Sequence, residues 1–307
     1  MSSHTPRLTA GLAFVAVAVV VLAGCGGGGK KSAAPTTTAT STGAIMAHKN
    51  AKIAAEVPKS IQSKGTLTVA ADATYAPNEF IGTNGHTVMG MSPDLGHAIG
   101  DVLGLKFKFV NASFDTIIPG LQSGKYDIGF SSFTDTKERE KVVDFVTYFS
   151  AGTSFYVKAQ GGPTINSLAD LCGHAVGAER GTTQADDATA QNKKCKAAGK
   201  PGVKVSVFPD QNAANLAISS GRAQVGMADS PVAAYIVKKS SGAFKLSGNP
   251  YNTAPYGIAI PKNNGMAKPI LDALKQLMSD GTYTAILKKW GIQSGAIDNP
   301  QINGATS

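Results

Sequence analysis

The chain has 307 residues, 42% of them hydrophobic, enough to bury one large core or two medium ones. Its formal net charge of +9 is carried by scattered lysines and arginines that form no basic stripe interleaved with aromatic residues, which argues against a nucleic-acid partner and for a general attraction to anionic membrane or cell-wall polymer. Its histidines show no metal-ligand spacing with the cysteines or one another, and there is no dinucleotide fingerprint and no nucleophile elbow, so neither cofactor nor metal is expected.

Arg7 precedes an apolar run from Gly11 to Ala23, too short for a membrane span of ~20 residues but of the length of a signal-peptide core. The run ends at Leu22-Ala23-Gly24-Cys25, which resembles a bacterial lipobox and so implies cleavage before Cys25 and lipidation of its sulfur. The residues from Gly26 to Ala44 are mostly Gly, Ser, Thr, Ala and Pro, a composition that cannot bury enough apolar surface to fold and reads as a tether. Two further cysteines, Cys172 and Cys195, close a loop of a little over twenty residues. In an exported protein they are expected to form a disulfide, two free buried thiols being the alternative.

Pro58 to Lys64 reads as a short helix, and Leu67 to Ala70 as a first strand running out into the loop Asp72-Ala73-Thr74-Tyr75-Ala76-Pro77. Ser92-Pro93-Asp94 reads as a helix start with Ser92 as N-cap, and Leu95, Ile99, Val102 and Leu103 form the buried stripe that Gly104 closes. Phe107 to Val110 is a second strand, followed by Phe114 and a helix carrying Ile117, Ile118 and Leu121. The alternation predicts a parallel sheet. Val142 to Phe145 and Phe155 to Val157 predict a strand crossing to a second lobe near residues 151–154. There the same grammar recurs: strands at Ala175 to Ala178, Val203 to Phe208 and Val225 to Ala228, helices from Thr182 and from Ala213 to Ser219. Ser230-Pro231 opens another helix with Ser230 as its cap, Tyr256 to Ile260 is a return strand, and helices at Met266 to Ser279 and Thr282 to Trp290 finish the fold.

The stretch from Gly124 to Arg139 carries the chemistry. A short buried strand delivers Ser131, Ser132, Thr134 and then Arg139, and a guanidinium with hydroxyls at a strand end is suited to a carboxylate. A weaker copy, Ser220 to Asp229, ends on a carboxylate instead. Two similar lobes facing one cleft, one offering Arg139 and the other Asp229, would fit a zwitterion. Gly181-Thr182-Thr183 sits where a strand gives way to a helix, so its N–H groups could help hold the anion.

Ala-Asp-Ala-Thr-Tyr-Ala-Pro at 71–77, Phe-Asp-Thr-Ile-Ile-Pro-Gly-Leu at 114–121, Gly-Thr-Thr-Gln at 181–184 and Asp-Gly-Thr-Tyr at 280–283 fall in the order found in the polar amino-acid solute-binding proteins of ABC transporters. Over about Gly65 to Gly291 the chain resembles that family, solute-binding protein family 3, especially its histidine-, lysine/arginine/ornithine- and glutamine-binding members. The resemblance implies an α/β, two-lobed periplasmic-binding-protein-like fold of type II, each lobe a mixed, mostly parallel sheet flanked by helices, with the ligand cleft between lobes. The expected division is 1–24 signal peptide, 25–57 lipidated Cys25 and tether, 58–152 first lobe, 153–256 second lobe, 257–295 return to the first lobe with the C-terminal helices, and 296–307 tail.

By position the resemblance assigns the ligand α-carboxylate to Arg139, Thr134 and Thr183, the α-ammonium to Asp229 and Ser132, and the side chain to a sandwich of Tyr75 and Phe114. Asp72 and Glu179 match positions at the side-chain end, and two carboxylates there favour a cationic amino acid. Asp72 alone would also suit the amide of glutamine, and Glu179 turned toward Arg180 or solvent would remove the preference. Two departures stand out: Ser92-Pro93 where the family has an acidic and an aliphatic residue, and Asn78 where it has an apolar one. The implied role is a monomeric, extracytoplasmic, membrane-anchored receptor that hands a free amino acid to an ABC permease. A cyclohexadienyl-dehydratase-like enzyme, or a sensor, is the alternative on the same fold.

Overall fold

The structure is a computed structural model describing residue 45 and residues 47–306. The expected signal peptide, the lipidated Cys25 and most of the tether lie outside the described residues. The strands are β1 (Thr66–Ala71), β2 (Thr74–Tyr75), β3 (Glu79–Ile81), β4 (Val88–Met89), β5 (Lys106–Asn111), β6 (Ile128–Thr134), β7 (Val143–Lys158), β8 (Ala175–Glu179), β9 (Lys204–Phe208), β10 (Val225–Asp229) and β11 (Phe244–Pro261). The helices are α1 (Ala51–Ala54), α2 (Lys59–Lys64), α3 (Met91–Leu103), α4 (Phe114–Gln122), α5 (Lys137–Glu140), α6 (Thr183–Ala197), α7 (Gln211–Ser220), α8 (Ser230–Lys239), α9 (Ala267–Ser279) and α10 (Thr282–Trp290).

Eight strands form one sheet in the order β5-β1-β6-β11-β7-β10-β8-β9, and β2, β3 and β4 form a small antiparallel sheet beside it. At one end β1 pairs in parallel with β5 and β6, and at the other β8 pairs in parallel with β9 and β10. Between them the long strands β7 and β11 run antiparallel along each other and belong to both lobes. The carboxyl ends of the parallel strands are where an open α/β sheet exposes backbone groups and polar side chains to a ligand. Asp72 follows β1, Phe114 follows β5, Thr134 ends β6, Glu179 ends β8 and Asp229 ends β10.

The sequence stripe on α3 packs as its spacing requires. Leu95, Ile99 and Val102 are fully buried with Ile270, Leu274 and Leu277 of α9 and Ile286 of α10 in the main hydrophobic cluster. Burial of each such side chain contributes roughly 1.5–3 kcal/mol, so this three-helix layer fixes the first lobe behind the site. A second cluster, with Phe114, Phe133, Phe145 and Tyr156, lies on the opposite face of the sheet beneath the cleft.

Several boundaries differ from the sequence expectation. Helix α3 starts at Met91 with Gly90 in the cap position, and Ser92 is inside the first turn, where its hydroxyl donates to the buried carboxyl of Glu79 instead of capping the helix. Helix α8 takes Asp229 in the cap position and Ser230 as its first residue, and neither makes a side-chain cap bond. The strand expected to cross near residues 151–154 does so and is continuous over Val143–Lys158, because paired β11 carries its backbone hydrogen bonds through the crossing. Residues 47–57, expected in the tether, pack on the first lobe: Asn50 caps α1 and bonds Gln276, and Ala54 and Val57 are buried. The expected tail also docks. Ile302 bridges Val146, the Thr147 N–H donates to the Gln301 carbonyl, and the Gly304 N–H donates to Asp135, covering the edge of β7 that β10 leaves free.

Cys172 and Cys195 form a disulfide with their Cα atoms 5.7 Å apart, joining the segment before β8 to the last turns of α6. Closing a loop of 23 residues removes chain entropy from the unfolded state. The double variant Cys172→Ser/Cys195→Ser is therefore expected to lose roughly 3 kcal/mol. Denaturant unfolding checks this, and an unchanged midpoint would contradict it.

Candidate ligand-binding site

The sheet edge brings seven of the expected residues to one cavity. Tyr75, Phe114, Ser132, Thr134 and Arg139 line it from the first lobe, and Thr183 and Asp229 from the second. Its free space is ≈ 20 Å³, about what one water occupies, and a larger cavity of ≈ 410 Å³ shares Thr134, Thr183 and Asp229 with it.

At the anion end, Arg139 leaves α5 beside the strand end of β6. Its Nη1 donates to the Thr134 carbonyl at 2.8 Å, and its Nη2 reaches across the cleft to the Gly181 carbonyl at 2.9 Å. The guanidinium also lies over the Phe114 and Phe133 rings, 5.3 and 5.6 Å from their centroids. Burial lowers its pKa, with Asp229 opposing, yet it remains a cation at any working pH. Thr182 caps α6 by accepting from the Ala185 N–H, and its own hydroxyl donates to the Glu179 carbonyl. The first turn of α6 has N–H groups without intrahelical partners, and Thr182, Thr183 and Gln184 of this turn all line the cavity.

At the cation end, Asp229 accepts from Gln184 Nε2 at 2.7 Å. Burial pushes its carboxyl up to about 6, while the Tyr256 hydroxyl, Gln184 and Arg139 oppose that rise, so it is mostly ionised near pH 7. Ser132 lines the cavity with a positive φ of 50°, and its hydroxyl is already committed. It donates toward the Glu79 carboxyl, with oxygens at 3.0 and 3.1 Å, and accepts from Asn78 Nδ2 at 3.0 Å. The two departures from the family pattern are thus joined: Asn78 and Ser92 both belong to the hydrogen-bonded group around Glu79, whose carboxyl burial raises well above the usual range.

Asp72 and Glu179 do not line the cavity; they face each other beside it, next to Tyr75. The two carboxyls differ in their partners. Asp72 accepts from the Thr74 N–H and hydroxyl and from the Phe114 N–H, at 3.1, 2.6 and 3.0 Å. Glu179 is 1% exposed, and neither of its side-chain oxygens has a hydrogen-bond partner. Burial, then the adjacent Asp72, push Glu179 up to about 10, so it is protonated at neutral pH. It does not turn toward Arg180, which pairs with Asp115 at 3.5 Å.

Residues 67–293 match the family model of bacterial extracellular solute-binding proteins, family 3. The chain belongs to that family. Among family relatives, an arginine-binding protein of Corynebacterium glutamicum is 33% identical over 253 residues, covering 82% of this chain and 83% of that one. An ancestral arginine-binding protein solved bound to glutamine is 40% identical with a TM-score of 0.66, over 74% of this chain and 98% of that one. An ancestral amino-acid-binding protein described as a precursor of cyclohexadienyl dehydratase is 36% identical with a TM-score of 0.68, over 75% and 97%. The chain is therefore an amino-acid-binding ABC-transporter substrate-binding protein with the family's α/β periplasmic-binding-protein-like fold.

Sequence reading gave no role to Gln184 or Gln211, which also line the cavity. Gln184 was visible as the last residue of Gly-Thr-Thr-Gln. Gln211 follows the α7 cap Asp210; its side chain donates to Tyr156 and Asn215, and its N–H donates across the cleft to the Thr74 hydroxyl at 3.2 Å. Only an N-cap signal marked it. Among the described residues no cluster of His, Cys, Asp or Glu could hold a metal, and no helix is long and apolar enough to cross a membrane.

Proposed function

We propose that this solute-binding protein is an extracytoplasmic receptor for a free cationic amino acid, of the arginine, lysine, ornithine or histidine class, which it delivers to an ABC import permease. The observation that carries this reading is Glu179, a buried carboxyl without a hydrogen-bond partner beside Asp72 at the side-chain end of the site. A guanidinium or ammonium placed there would supply the donors that both oxygens lack, and the arginine-binding relative supports the choice.

The ligand α-carboxylate would replace the Gly181 carbonyl as the partner of Arg139, with Thr134 and Thr183 beside it, and the α-ammonium would go to Asp229. Because the two partners stand on different lobes, 58–152 with 257–295 and 153–256, binding favours closure. The role is non-catalytic. Lipidation of Cys25 after removal of residues 1–24 would anchor a monomer beside its permease.

Calorimetric titration of the purified protein, stripped of carried-over ligand, with arginine, lysine, ornithine, histidine, glutamine and glutamate tests this. Micromolar or tighter binding of the cationic members, stronger than that of glutamine or glutamate, is expected. Glu179→Gln is expected to weaken them roughly 10- to 100-fold, the worth of one charged hydrogen bond. Binding of glutamate alone would overturn the reading, and turnover of prephenate or arogenate would replace it with an enzyme.

A further inference from the structure

Two carboxyls pressed together in a dry site cannot both ionise unless a cation lies with them. Here the assignment of the single charge is fixed by geometry. Asp72 collects three donors and is the better anion, whereas the Glu179 oxygens find none and keep the proton.

We propose that Glu179 exchanges its proton for the charge of the ligand, so that the same site takes a neutral amide side chain when Glu179 is protonated and a cationic side chain when it is ionised. This rests on the receptor reading above and deepens it. In the protonated form the pair offers one O–H donor and carboxylate acceptors, which match the C=O and NH₂ of a primary amide. In the ionised form it offers acceptors only, which match a guanidinium or ammonium. The step balances simply: the Glu179 O–H breaks, the proton leaves to solvent, and the incoming cation restores the local charge.

The surroundings of Glu179 support the exchange. Asp72 faces it from the first lobe and Asp210 from the start of α7, and the charges of these two acids favour the protonated form, while the neutral Tyr75 hydroxyl beside it opposes them. The flanking Arg180 is engaged by Asp115. Arg139 and Asp229 line the cavity and would hold the α-groups common to every ligand, so their titration would change all affinities together. The part of the ligand that differs between arginine and glutamine would be met by the Asp72–Glu179 pair, and of the two Glu179 is the one that holds the proton.

The test is calorimetry of the purified protein with arginine and with glutamine, each in two buffers of different ionisation enthalpy, from pH 5.5 to 9. Arginine is expected to release close to one proton per molecule bound at pH 7.5, and glutamine none. The ratio of arginine to glutamine affinity should rise up to tenfold per pH unit, a slope that Glu179→Gln flattens. Binding of arginine without proton release, or a flat ratio in the unaltered protein, overturns the exchange and leaves the receptor intact. Binding of neither amino acid overturns the receptor reading and the exchange with it.

Discussion

Arg139→Ala is expected to weaken binding of every amino acid, cationic or neutral, by about 10³-fold. Among the described residues Arg139 is the one cation lining the cavity, and its guanidinium is already aimed across the cleft at the Gly181 carbonyl. Truncation removes two charge-assisted hydrogen bonds and leaves the ligand carboxylate in a site that also holds Asp229. Loss of one partner of a buried charge pair costs about 2–5 kcal/mol, which brackets that factor. Arg139→Lys should recover only part of it, because an ammonium cannot grip both carboxylate oxygens in one plane. The measurement is the same titration panel with circular dichroism as the folding control. A loss limited to arginine would contradict the assignment of this residue to the carboxylate.

The second large effect concerns stability. Gly90 has φ 134°, a conformation closed to residues with a Cβ, and a Cβ built there would run into the Asn78 carbonyl and lie 2.9 Å from the Pro77 carbonyl. Both obstacles are backbone, so neither can rotate away. Gly90→Ala is expected to cost about 3 kcal/mol or more, from strain plus displacement of the 77–92 loop. At about 2–4 °C per kcal/mol for a domain of this size, the melting temperature should fall by roughly 10 °C. The damage should also reach the ligand, since Asn78 and Glu79 in that loop hold the Ser132 hydroxyl, and Ser92 in turn donates to Glu79. An unchanged melting temperature would mean the loop is freer than its hydrogen bonds imply.

Much of the fold was legible because strong local signals agreed with the tertiary ones. Thr282–Trp290 follows its apolar period between two glycines, and Leu95, Ile99 and Val102 keep helical spacing. The misplaced features are those decided by distant partners. Ser92 has the chemistry of an N-cap, but Glu79, thirteen residues earlier and buried, needs its hydroxyl more than the helix start does. The Val143–Lys158 strand passes through Ser150, Ala151 and Gly152, weak strand formers that continue only because β11 lies alongside. Residues 47–57 and 301–305 are too short to build a core of their own and become ordered on surfaces that local sequence cannot reveal.

The site divides in the same way. The strand ends Ser-Ser-Phe-Thr and Ala-Asp could be placed from pattern, and Ser132, Thr134, Ala228 and Asp229 from them line the cavity. Residue counts could not give the protonation state of the acidic pair. Asp72 and Glu179 are 107 positions apart, and the sequence supplies two charges where the fold permits one. The charge argument for cationic specificity therefore needs the ligand itself to ionise Glu179.

The position of β11 has a consequence for the order of assembly. It is the last strand of the main sheet in the chain, yet it lies at the centre, between β6 and β7. Until residues 244–261 are available, β6 ends the β5-β1-β6 half as a bare edge, and that edge carries Ser132 and Thr134. The β7-β10-β8-β9 half has no such wait among its own strands and can form as soon as β10 is present. Synthesis from the N-terminus thus makes the anion-binding half first and completes it last. The long-range pairing of β6 with β11 becomes the step that sets the pace of folding and leaves the open edge exposed to other chains meanwhile.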